Sequence, residues 1–236
     1  MQTLLAAESP GVLKHALSLL DIGNTHRAQG QNKHQKERYY IAHLLHSIPR
    51  DYIEFPLTLE QAERPDFELR MPSITIGIEV TEAVPENQAR AKALRKKGFG
   101  KSVHFLKRAQ PGEVPKSTKD LRAEIISDCA EEPWIGNEPE AKWAEAMLHI
   151  SASKVAKAYK PGFRRHATNW LLIYDNWPIP DQRHAEANTL LASHCNKAGL
   201  HATFHRIFAL DHKFVCEASA NPILHPVLNP FKKLQN

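Results

Sequence analysis

The sequence predicts an α/β fold in which a mixed central sheet is flanked by helices, and three observations predict it. Residues 64–84, RPDFELRMPSITIGIEVTEAV, alternate apolar and polar positions in two runs around Pro72 and Ser73, as a two-stranded hairpin does. Residues 33–48 and 138–160 repeat apolar side chains at helical intervals. NWLLIYDNW, 169–177, is a continuous apolar run, the pattern of a central strand buried on both faces.

Taken in order, the first 30 residues read as an N-terminal extension with a helix from Gly11 to Leu20 and a connector rich in Gly, Asn and Gln. In the helix 33–48, Tyr40, Ile41, Leu44, Leu45 and Ile48 form the apolar stripe, Lys33 to Arg38 the polar start, and Pro49 the stop. DYIEFPLTL, 51–59, is a short strand candidate ahead of the hairpin. From 85 to 135 the text turns polar, basic and punctuated by Gly and Pro, which marks an insertion within the domain carrying one helix at 117–130. The helix 138–160 places Trp143, Met147, Ile150, Val155 and Tyr159 on one face and ends in Lys154, Lys157 and Lys160. After strand 169–177 come a helix at 183–197 and a strand pair within HATFHRIFALDHKFVCEAS, 201–219.

At 236 residues the chain is expected to form a single domain, 1–236, with a sizeable core. Its 42% hydrophobic and 24% charged residues are ordinary globular values, and no apolar run approaches a membrane span. The N-terminus lacks a basic segment ahead of its first leucines, and Cys129, Cys195 and Cys216 are odd in number and widely spaced, so a cytoplasmic protein with reduced thiols is expected. The net charge of +5 is concentrated: between Ala89 and Arg122 there are eleven Lys and Arg against Glu113 and Asp120. A solvated basic loop accounts for such a run, and so does a surface for nucleic-acid phosphates built on Arg95, Lys96, Lys97 and Lys101, with Lys157 beyond it.

The hairpin carries the chemistry. Phe67, Leu69 and Met71 form one face of the first strand and Asp66, Glu68 and Arg70 the other; Ile74, Ile76, Ile78 and Val80 oppose Thr75, Gly77, Glu79 and Thr81 in the second. An even turn at Pro72–Ser73 pairs residues whose numbers sum to 145, so Asp66 faces Glu79. Like charges directly opposed are destabilising. A hard divalent cation, protonation of one carboxyl, or solvent exposure with the side chains splayed apart would each relieve them.

PDF followed by IGIEVTEA resembles the core of the PD-(D/E)XK nuclease superfamily, the restriction-endonuclease-like fold, with Pro65, Asp66, Glu79, Val80 and Thr81 at the motif positions. The resemblance covers roughly 33–84 and 138–177. It implies that Asp66, Glu79 and the Val80 carbonyl hold Mg²⁺ or Mn²⁺, and that Glu37, on the helix before the hairpin, adds a carboxylate. The chain departs from the motif at Thr81, which stands where the family has lysine and brings no positive charge. A relocated lysine is the expected substitute, with Lys154 first and Lys157 next. Glu82 falls on the opposite face and ends the strand rather than joining the site.

The resemblance therefore implies a metal-dependent nuclease acting on DNA or RNA, DNA ahead of RNA, with no membrane partner and a homodimer as a compatible assembly. A catalytically silent nucleic-acid-binding protein of the same fold is the alternative, and an α/β scaffold with surface carboxylates is the third. His194, Cys195, His201 and His205 are the densest zinc-like cluster, but HATFHRIFAL reads as a strand that would hold His201 and His205 about 13 Å apart at 3.3 Å per residue. Neither a G-x-S-x-G elbow nor a P-loop nor G-x-G-x-x-G is present.

Overall fold

A computed structural model of the chain describes residues 2–23, 32–101 and 103–231. Eight strands form one mixed sheet whose spatial order follows the chain: β1 (Gln2–Ala7), β2 (Leu57–Gln61), β3 (Phe67–Arg70), β4 (Thr75–Ala83), β5 (Thr168–Asp175), β6 (Arg206–Leu210), β7 (Phe214–Glu217) and β8 (Ile223–Pro226). Neighbours are antiparallel except β4–β5 and β5–β6, which are parallel and need long crossovers. Of the helices, α1 (Pro10–Ser18) and α2 (Lys33–Ser47) cover one face. The insertion carries α3 (Glu86–Lys96) and α4 (Thr118–Ser127), while α5 (Glu138–Ala158) and α6 (His184–Lys197) serve the two crossovers and cover the other face. Successive crossovers of one hand in one direction must lie on the same face, which is why α5 and α6 pack side by side.

Each face of the sheet has its own core. Alternation along β5 splits them: Trp170 and Leu172 join Ile41, Leu44 and Leu45 of α2, while Leu171 and Ile173 join Trp143 and Met147 of α5 and Leu191 of α6. The continuous apolar run is thus buried from both sides, as expected of a central strand. Cys195 and Cys216 are buried as small apolar groups, Cys129 is exposed, and all three are free. Among the described residues no helix is long and apolar enough to cross a membrane.

The structure differs from the sequence expectations in four places. Residues 2–18 are not an extension: β1 pairs with β2, and Leu5, Ala7, Leu13 and Leu17 are buried in the α2-side core. QTLLAA has little β-branched or aromatic character, so its strand state comes from the edge of β2 rather than from local preference; the connector expected over the following residues lies, from 24 to 30, outside the described residues. Within the insertion, α3 has no apolar stripe to announce it, and its residues form a helix of high intrinsic propensity in ENQARAKALRK. HATFHRIFAL is not one strand: Leu200–Ala202 is a 3₁₀ turn and β6 begins at Arg206, so His201 meets the Phe204 carbonyl and His205 Nδ1 accepts the Asn169 N–H. Finally, β8 completes the sheet beyond the expected strand pair.

Candidate active site

The hairpin has the even register. Phe67 pairs with Ile78 and Leu69 with Ile76, and Met71 N–H donates to the Ile74 carbonyl across the Pro72–Ser73 turn. Phe67, Leu69, Ile76, Ile78 and Val80 fill the α2-side core, so Asp66, Glu68, Glu79 and Thr81 belong to the face that α5 covers. The ladder between β3 and β4 ends at Phe67–Ile78. One step further, the N–H and C=O of Val80 point toward a strand that has turned away, and side chains take them instead.

Asp66 supplies the first of these: its Oδ2 accepts the Val80 N–H at 2.8 Å in a buried bond. Lys154 supplies the second. Its Nζ donates to the Val80 carbonyl at 3.2 Å and to Glu79 Oε1 at 2.7 Å, with the Glu79 and Lys154 side chains only 12% and 13% exposed. Lys154 lies four turns into α5, which packs across β4 and β5 through Trp143, Met147 and Ala144. The third carboxylate, Glu37, comes from the first turns of α2, opened by an Asn32–Gln35 capping box. Lys33 Nζ lies 3.1 Å from Glu37 Oε1 and 3.5 Å from Asp66 Oδ1, its side chain 74% exposed.

These groups feel one another electrostatically. Burial pushes the Glu79 carboxyl up from its ordinary value and the Asp66 charge pushes it further, against the opposing pull of Lys154. Burial and Asp66 likewise raise Glu37, against Lys33. Lys33 is itself raised: its burial acts downward but is outweighed by Asp66 and Glu37. Glu79 Oε2 is buried with no hydrogen-bond partner, an acceptor left without its donor.

Thr81 is half-buried on the same face and lines a cavity of about 400 Å³ with Lys154, Lys157, Ser153 and His149, bounded on the insertion side by Asn87 and Gly112. The 81–154 neighbourhood is thus concave beside the carboxylates. Glu82 points the other way, as expected: Tyr40 donates its hydroxyl to it and Lys36 Nζ stands 3.2 Å off, while burial and Glu82 raise the Tyr40 hydroxyl. Arg95, Lys96, Lys97 and Lys101 are not brought to the carboxylates. They occupy the far end of α3 and the turn after it, roughly 16 Å along the helix from Glu86 at the cavity rim. Several other insertion cations are spent locally: Lys116 on Glu113 and Glu124, Arg90 on the Lys116 carbonyl, and Arg108 on Glu138 and over the Trp134 ring.

Two further residues of this neighbourhood lie outside the motif positions. Lys33 is reached from the sequence by its i,i+4 spacing to Glu37. Glu68 is reached by its i,i+2 spacing to Asp66; its carboxylate is buried, paired with Arg70 at 2.7 Å and Arg164 at 3.0 Å, and within 3.3 Å of His166. That approach of His166 needs Gly77 opposite Glu68, where a Cβ would stand 2.7 Å from the His166 ring.

Among the described residues no three His, Cys, Asp or Glu side chains come together as a ready-made metal cage. What the site offers a cation is two carboxylates, one with an unpartnered buried oxygen, and a main-chain carbonyl, a hard all-oxygen set of the kind Mg²⁺ takes with water and phosphate completing the shell. No family model matches the chain, and no curated protein or solved structure matches it either.

Proposed function

We propose that the chain is a metal-dependent nuclease of the restriction-endonuclease-like, PD-(D/E)XK kind, in which Lys154 on α5 takes the place of the lysine missing at Thr81. The observation that carries this is the convergence at Val80: Asp66 accepts its N–H, Lys154 donates to its carbonyl, and the same ammonium binds Glu79. Residues 66, 79 and 154 are far apart in the chain or on different elements, and a gathering of buried charged groups with a shifted carboxyl is the kind of cluster that functional sites show.

Asp66, Glu79 and the Val80 carbonyl would hold Mg²⁺ or Mn²⁺, with Glu37 beside them. The cation, when bound, polarises the scissile phosphate and lowers the pKa of a bound water. The protein does the rest. Main-chain bonding at Val80 holds the Asp66 carboxylate in orientation before substrate arrives. Lys154 brings the fixed positive charge that stabilises negative charge developing on the phosphate, and its grip on Glu79 and Val80 keeps the ammonium from wandering. The Thr81 hydroxyl, in the adjoining cavity, orients water. Lys157 in that cavity, with Arg95, Lys96, Lys97 and Lys101 at a distance, contributes long-range attraction for the backbone.

One observation favours the silent nucleic-acid-binding alternative: Lys33 and Lys154 already balance the carboxylates, so the cluster is electrostatically satisfied without a cation. A metal titration separates the two. Mg²⁺ or Mn²⁺ should bind, cleavage of duplex DNA, single-stranded DNA or RNA should depend on it, and EDTA should stop it. Salt-dependent binding of all three polymers with neither metal uptake nor cleavage would establish the silent protein instead.

A further inference from the structure

Besides the cavity beside Lys154, a second one, of about 790 Å³, opens where Glu68 meets the start of α2. Its walls are the start of α2, the β2–β3 turn and the loop that follows α5. The two loops are tied together: the Arg164 N–H donates to the Arg64 carbonyl at 3.1 Å, and Gly162, in a left-handed turn at φ 88°, lies under the Arg64 guanidinium. Three guanidiniums line the space, and they are not equivalent. Arg38 is committed, donating from Nε and Nη2 to Gln61 and from Nη2 to Gln2. Arg164 gives only Nη1 to the buried Glu68 and keeps its side chain 62% exposed, so Glu68 aims the fork without exhausting it. Arg64 is exposed.

Position along the chain connects this cavity to the carboxylate cluster. Arg64 precedes Asp66 by two residues, and Glu68 follows it by two on the same strand face, about 6.6 Å along the strand. Beyond the cavity, Arg165 lies over the exposed Tyr159 ring at 4.5 Å, an aromatic and cationic pair of the kind that receives unstacked bases. Glu63 also lines the wall and sets the limit of the positive surface.

We propose that this cavity holds the nucleic-acid strand next to the scissile position, with the Arg64 and Arg164 guanidiniums as ligands of one backbone phosphodiester. The assignment rests on the nuclease or nucleic-acid-binding reading above and adds to it where the strand runs: across the loop after α5, not along the basic end of α3.

Fluorescence anisotropy with a short labelled single-stranded DNA and with its duplex, in EDTA over a range of salt concentrations, tests it without any cleavage. Arg64→Ala and Arg164→Ala should each weaken binding of at least one of the two by about 10-fold and lower the salt slope in part, and the double variant should lower it by roughly 0.7 to 0.9, the loss of one phosphate contact. Arg164→Lys, which keeps the charge and the Glu68 partner but loses the fork, should retain the slope and bind with intermediate strength. Arg64 is exposed, so its variant should melt with the wild type and stands as the check should Arg164→Ala fold poorly. Wild-type binding with both Ala variants unchanged in affinity and slope would overturn the cavity assignment alone. Absence of wild-type binding to both DNAs and, in the same assay, to a labelled RNA of the same sequence would remove the nucleic-acid reading and this proposal with it.

Discussion

Two buried carboxylates in this molecule are solved in opposite ways. Glu217, at the end of β7, has a side chain 0% exposed, and every direction around it is filled: Tyr52 donates its hydroxyl at 2.9 Å, His225 Nε2 stands 3.0 Å away, and Arg206 binds from the neighbouring strand. Burial acts upward on its pKa, but His225, Arg206 and Tyr52 together hold the carboxyl below its ordinary value. Glu79 is somewhat less enclosed, its side chain 12% exposed, and Lys154 binds one of its oxygens, yet the other oxygen has no partner, Asp66 stands near it with a like charge, and burial with Asp66 pushes its carboxyl up. The Glu217 network uses every partner it has, whereas Glu79, held on one oxygen by Lys154, keeps the other without a donor and stands close to a second carboxylate.

The comparison can be broken most forcefully at Glu217. Glu217→Ala leaves Arg206 and His225 without their buried partner, and urea unfolding should show a loss of about 3–5 kcal/mol, while activity per folded molecule is unchanged. Stability within experimental error of the wild type would show that the network is ornamental. Glu79→Gln should do the reverse. Metal-dependent cleavage should fall by about 100- to 1,000-fold, the scale of removing one preorganised electrostatic contact, with DNA binding retained and far less stability lost than at Glu217. Asp66→Asn should follow it, with some added destabilisation because Val80 N–H depends on that side chain. Folded Glu79→Gln protein that cuts like the wild type would end the nuclease reading.

Lys154→Ala sharpens the contrast by one step. It removes the cation that Glu79 and the Val80 carbonyl share, and cleavage should fall by about 10- to 100-fold, the worth of a hydrogen bond to a charged group. Lys157→Ala should cost less, since Lys157 lines the cavity while Lys154 makes the bonds to Glu79 and Val80. Equal rates for both variants and the wild type would leave Thr81 and solvent as the only assistance.

The smallest effect is in pH. Glu217 is depressed, so its stabilisation is present above its unfolded value and is lost only as pH falls through the lower folded value, in the acid range. Glu79 and Glu37 are raised, so their contribution is present below the unfolded value and is lost as pH rises through the folded one. Between the ordinary carboxylate value and neutrality the wild type should therefore gain stability on acidification relative to Glu79→Gln, while metal-dependent activity declines as Glu79 takes up its proton. Thermal melts of the two proteins across that window check the sign; parallel curves would mean that Glu79 is not strained.

Part of this was legible in residues 64–84 alone. The side-chain period of a strand is two, so once the Pro72–Ser73 turn was taken as even, the 67–78 register, the common face of Glu79 and Thr81 and the exclusion of Glu82 followed without knowledge of anything else in the chain, while the pairing expected of 66 and 79 gives way to the bond from Val80 N–H to Asp66 just past the end of the ladder. The apolar run of β5 and the stripes of α2 and α5 were legible for the same reason: burial imposes a period that local sequence must display. β1 and α3 were not, because neither displays one; the first takes its state from the edge it pairs with and the second from propensity without an apolar face.

The sequence by itself determined which carboxylates share a face, since alternation along a strand is a local rule. Only the tertiary structure decided which cations meet them. Lys154 reaches Glu79 across 75 positions of chain because two parallel strands force a crossover helix onto that face, and Lys33 reaches Asp66 because α2 begins beside the point where β3 and β4 part. Helical phase already sets Lys154 on the stripe of Trp143 and Met147 and Lys157 off it; what the packing of that stripe adds is that it lies over the carboxylates, so Lys154 meets Glu79 while Lys157 only lines the neighbouring cavity.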